Sequence, residues 1–177
     1  MAAVEFAFIA PILLMLYFIT MEAAQGIETS KKVARLSFTV ADLVAQQSTV
    51  DRATLGNILA IADSTMQPYN RSTPTTTITA INIASSGATV AWTYQSGGAS
   101  SGASSNTVSV PAALNVPGSF LLRVTSGLDY VPIIAWSGDN VKATGLISDF
   151  SSIGMGDTYY VRPRVTMTVP CSDCGGS

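Results

Sequence analysis

The sequence predicts an α+β fold: a long amino-terminal helix and a second helix packed on an antiparallel β-sheet. Two observations carry this. Up to Met66 the apolar residues run unbroken or recur at spacings of three and four, which is the helical period. From Pro74 onward the period changes to the alternation of strands, with turn residues between the segments.

The first element is MAAVEFAFIAPILLMLYFITME. Phe6 to Met21 is sixteen residues without a charge, bracketed by Glu5 and Glu22. As a helix, Met1 to Met21 would be about 31 Å long, enough to cross a bilayer core, whereas the charge-free part alone reaches only about 24 Å. A carboxylate inside such a segment is costly, so Glu5 is a functional candidate. Pro11 is expected to kink this helix or to free one carbonyl. Residues 1–26 therefore form an apolar amino-terminal unit, and residues 27–177 a domain of a size that builds one modest core.

Beyond Gly26 the helix is expected to continue to about residue 47. Val33, Leu36, Val40 and Leu43 make one apolar stripe, with Lys32, Arg35 and Asp42 between them. The stripe serves the protein's own core, a subunit contact, or both along different turns. The second helix is predicted over about 49–66, with Ser48 as N-cap, Asp51 three residues on, and Leu55, Ile58, Leu59 and Ala62 as its apolar face.

The β-rich region spans 74–170. Thr77, Thr79, Ile81 and Ile83 alternate, Ser85-Ser86-Gly87 turns the chain, and Val90, Trp92 and Tyr94 alternate again, which predicts a hairpin. Residues 96–106, SGGASSGASSN, read as a flexible surface loop. Two further β segments are expected, one holding Phe120, Leu122 and Val124 and one over Val131–Trp136, with Ser126-Gly127 between them. The last strand is predicted to turn Val161, Val165, Met167 and Val169 one way and Arg162, Arg164, Thr166 and Thr168 the other. Pro163 lacks a backbone donor and favours an edge position. The two arginines suit either a partner or a solvated strand face.

Composition narrows the function. The chain is 47% hydrophobic and only 11% charged, against a usual charged share of about 25%. A net charge of −2 gives no basic field for nucleic acid. Histidine is absent, and no nucleophile–base pairing, phosphate loop or metal cluster is present, so no cofactor and no enzymatic role are expected. Asp139, Asn140, Asp149 and Asp157 are scattered among glycine-rich turns and read as turn residues rather than calcium ligands.

Ala2, Ala3, Val4, Glu5, Phe6 and Pro11 together resemble the amino terminus of TadE-like minor pilins of the tight-adherence (Tad) system. Those proteins share a short alanine run, Val-Glu-Phe, and a proline five to six residues later. The resemblance covers about twenty-five residues and extends weakly to TYYVRPRVTMTV near the end. It implies that Met1 is the first mature residue and that a prepilin peptidase removes a leader. Charge placement agrees: with Met1 as initiator, Lys31, Lys32 and Arg35 would hold the domain in the cytoplasm, whereas a cleaved basic leader exports residues 27–177.

The implied protein is a non-enzymatic minor pilin or pseudopilin involved in pilus biogenesis or adherence. It starts in the bacterial inner membrane with an exported domain and ends in the periplasm or an extracellular pilus. Its partners would be other pilin subunits, reached through the amino-terminal helix, the prepilin peptidase and the pilus assembly platform. Met1, Glu5 and Phe6 are the expected assembly residues, with Glu5 meeting an α-amino group of its own or a neighbouring chain. Two other readings share the architecture: a type II secretion pseudopilin, and a single-pass anchored adhesin or sensor that never polymerises. In an exported chain Cys171 and Cys174 favour a disulfide that fixes the turn over 171–177. Two cysteines without histidine are too few ligands for zinc.

Overall fold

The computed structural model describes residues 2–102, 104–133 and 152–174. Helix α1 (Ala2–Ala45) is followed by α2 (Arg52–Asp63) and a 3-10 turn, Ser64–Met66. The strands are β1 (Thr75–Ala84), β2 (Gly87–Gln95), β3 (Ser100–Ser101), β4 (Ser104–Thr107), β5 (Ser119–Tyr130) and β6 (Ile153–Val161). The sheet is antiparallel in the order β3-β2-β1-β5-β6, with β4 also on β2. This is the α+β arrangement expected, a long apolar helix leading into a helix-on-sheet domain.

The carboxyl-terminal half of α1 lies on β5 and β6, and α2 packs beside it. The predicted stripe is the buried one: Val33, Leu36, Val40, Ala41, Val44 and Ala45 are inside, and Leu43 is partly covered. Val33 packs with Met66, Tyr69, Leu128 and Tyr130; against the others stand Leu55, Ile58, Leu59 and Ala62 of α2 and, from the sheet, Ile78, Ala80, Trp92, Tyr94, Phe120, Leu122 and Val124. Helix α1 runs through Pro11 without a break; the ring removes the donor that would have reached the Ala7 carbonyl.

Several local expectations need correction. The N-cap of α2 is Asp51, whose carboxylate accepts from the Thr54 backbone N–H at 2.6 Å, not Ser48. The reason is long-range. Val50 N–H donates to the Pro170 carbonyl and Ser172 N–H donates to the Val50 carbonyl, both at 3.0 Å, which holds the chain extended until Asp51. The Thr54 contacts also hold the Asp51 carboxyl below the usual carboxylate range.

Thr77, Thr79, Ile81 and Ile83 do share one face of β1, but it is the face away from the helices. Ile81 and Ile83 pack there with Ala88 and Leu121 under Val108, Val110 and Leu114. A bulge sets Val90 opposite Ile81, out of phase with Trp92 and Tyr94. The serine-rich stretch is not wholly a loop, since β3 and β4 within it pair with β2.

Strand β5 runs straight through Ser126-Gly127 to Tyr130, and Val131 and Pro132 are not strand. Trp136 lies outside the described residues. The last strand ends at Val161, upstream of where the alternation placed it. The Arg162–Pro170 segment instead crosses the end of α1: Arg164 N–H donates to the Ala45 carbonyl at 2.9 Å, and its guanidinium meets Asp42 at 2.6 Å. Val169 is buried, and its carbonyl accepts from Trp92 Nε1 at 2.8 Å. Val165 and Met167, expected on one face with the buried Val169, are 63% and 93% exposed.

These placements separate two neighbouring apolar classes. Leu36→Ala should lower domain stability by about 2–5 kcal/mol, because it empties a fully enclosed site. Met167→Ala should stay within about 0.5 kcal/mol of wild type. Chemical denaturation followed by tryptophan fluorescence reads both, and equal losses would contradict the packing described.

Candidate functional site

The candidate site is the first half of α1 and the junction where it enters the domain. From Val4 to Met21 the large apolar side chains are 43–72% exposed on all sides of the helix. A helix that is apolar all round has no polar face to give to water. Contiguous apolar patches above a few hundred Å² mark interaction surfaces. Ala2–Met21 extends about 30 Å, the thickness of a hydrocarbon core, and the helix is long and apolar enough to cross a membrane. Thr20 fits this setting because its hydroxyl donates back to the Tyr17 carbonyl at 2.8 Å.

Glu5 and Phe6 are both exposed on this helix, and among the described residues Glu5 makes no salt bridge. Met1, the third expected assembly residue, lies outside the described residues. Pro11 sits mid-segment, about one and a half turns beyond.

The junction was not visible in the sequence. Glu22 closes the apolar run, and its carboxylate enters the domain. Tyr130 Oη donates a short hydrogen bond to Oε1, Ile133 N–H donates to Oε2 at 3.1 Å, and the Arg71 guanidinium stands 3.8 Å from Oε1. Arg71 also donates to Gln25 Oε1 at 2.8 Å and to the Val131 carbonyl at 2.7 Å. Its guanidinium lies over the stacked rings of Tyr69 and Tyr130. Contact between helix and domain thus begins at Glu22, one turn before Gly26. Burial, then the Glu22 carboxylate, push the Tyr130 hydroxyl up to about 12. Tyr130 and Ile133 meet Glu22 across 108 and 111 residues of sequence and Arg71 meets Gln25 across 46, and no local pattern marks such pairings.

At the far end, the Sγ atoms of Cys171 and Cys174 lie within bonding distance, with Cα atoms 5.5 Å apart. Asp173 between them accepts from Arg52 N–H at 2.8 Å, so this turn is docked on the start of α2. Asp173 and the two sulfurs come close enough to suggest a metal, but sulfurs committed to each other leave one carboxylate only. Asp157 is in β6 rather than a turn, and Asp139, Asn140 and Asp149 lie outside the described residues.

Tyr130→Phe should cost about 1–3 kcal/mol of domain stability, because it removes a donor from a partly buried carboxylate. The raised Tyr130 pKa means the folded state favours the protonated phenol, so its contribution is intact below pH 10 and is lost as pH climbs toward about 12. An alkaline denaturation series should show that loss in wild type and not in Tyr130→Phe. Comparison with protein-family models, curated proteins and solved structures finds no match for this chain.

Proposed function

We propose that this chain is a minor pilin, or pseudopilin, of a Tad or type IV-like pilus. The observation that carries the reading is the helix segment Val4–Met21, uncovered and apolar on every side, with Glu5 as its one carboxylate. The same unbroken helix continues into the core of the domain, so whatever surrounds its first half also holds the domain in place. In the inner membrane that surround is lipid. In a filament it is the helices of other pilin subunits, delivered by the assembly platform after the prepilin peptidase has acted. No catalytic step is assigned to the chain.

Within such a helix bundle Glu5 needs a cationic or hydrogen-bonding partner, and the described part of its own chain offers none beside it. An amino-terminal ammonium, its own or a neighbour's, supplies that charge, and a neighbour's would also set the axial register between subunits.

Glu5→Gln should leave processing and membrane insertion intact and impair incorporation. Leaving one member of a buried pair unmatched costs about 3–5 kcal/mol, which lowers incorporation by about a hundredfold or more at about 1.4 kcal/mol per factor of ten. Glu5→Asp should be partly tolerated. Quantifying the subunit in sheared filaments against the membrane fraction decides it. Normal incorporation of Glu5→Gln would overturn the pairing role, and a wild-type chain never leaving the membrane fraction would favour a non-polymerising anchor.

A further inference from the structure

The helix exit is flanked by a second apolar feature. Ile27 of α1, Ile133 after β5 and Ile153 at the start of β6 are 59%, 41% and 49% exposed. With Ile19, Tyr130 and Pro132, Ile27 and Ile153 border a groove of about 380 Å³ with almost wholly apolar walls, and the Ile133 N–H bonds to Glu22 in that wall. Among the described residues that line it the one charged group is Glu22, and its carboxylate is already taken by Tyr130, Arg71 and the Ile133 N–H.

We propose that this rim of the domain sits in the headgroup layer of the bilayer, so that the domain rests on the membrane surface rather than standing clear of it. The inference rests on the reading of residues 1–21 as a membrane span. Its argument is one of height. If Met21 ends the hydrocarbon core, the Cα of Ile27 lies about 9 Å beyond it along the helix and its side chain leans back toward the amino terminus, which puts Ile27 at the outer edge of a headgroup layer about 5–7.5 Å deep on each side. Ile133 and Tyr130 bond directly to Glu22, one residue past Met21, and Ile153 pairs with Tyr130 across the sheet, so this part of the rim lies within the layer. Ile19 belongs to both the span and the groove, which makes the apolar surface continuous from one to the other. Apolar side chains at this depth exchange water for the acyl boundary, as interfacial helices do.

The test uses the full chain in phosphatidylcholine nanodiscs, one copy per disc. A nitroxide is placed at Leu13→Cys, Ile27→Cys, Ile153→Cys or, as a water-exposed reference on α2, Ile61→Cys. Collision with a water-soluble nickel chelate should be several-fold lower at Ile27 and Ile153 than at Ile61, and lowest at Leu13. If Leu13 is shielded while Ile27 and Ile153 collide as freely as Ile61, the rim stands in water and the proposal falls alone. If Leu13 is also open to nickel, the membrane-span reading fails with it. Shielding of the rim that appears only with several copies per disc would assign it to a neighbouring subunit instead and overturn the bilayer as its occupant.

Discussion

Everything in this molecule depends on one constraint: a single helix of 44 residues is half enclosed by its own domain and half apolar on every side and uncovered. Its second half supplies the apolar stripe on which β5, β6 and α2 are built, and its first half offers no polar face to water. Because the helix is continuous, the domain inherits its direction from the apolar segment. The changeover is marked by Glu22. A carboxylate at that point belongs neither in hydrocarbon nor unpaired in a core, and the Arg71–Tyr130 cluster with the Ile133 N–H settles it against the domain.

The carboxyl-terminal segment performs the matching task at the other end. The last carbonyls of a helix need donors, and Arg164 N–H reaches the Ala45 carbonyl across more than a hundred residues of sequence. The same segment fastens Trp92 through the Val169 carbonyl and meets Val50, and the Cys171–Cys174 turn that ends it docks Asp173 on Arg52. Both ends of the buried half of α1 are therefore tied by residues from distant strands and loops, while the apolar half is left free for surroundings outside the chain.

Local period reads well in this sequence where one face alone is buried. The stripe from Val33 and the α2 face of Leu55, Ile58, Leu59 and Ala62 are where the spacing puts them. In β1 the alternation gives the hairpin with β2 but not a single buried face, because the strand is covered on both sides: Ile78 and Ala80 serve the main core and Ile81 and Ile83 a second one. Local period misleads at Val165 and Met167, whose alternation is strand-like but whose backbone is occupied with the end of α1. Asp51 replaced Ser48 as N-cap for a related reason, since the bridge to Cys171 is a contact no window of sequence contains. For the candidate site, Glu5 and the apolar run were legible because hydropathy is local, and the Glu22 cluster was not because its members meet only after folding.

The central claim is that the uncovered half of α1 changes its surroundings from lipid to other subunits. Photocrosslinking from a benzophenone amino acid at Leu13, in cells that make the pilus, tests it most directly. The account predicts lipid adducts in the membrane fraction and subunit–subunit adducts in sheared filaments. A chain that forms lipid adducts alone, in every fraction where it occurs, would contradict it.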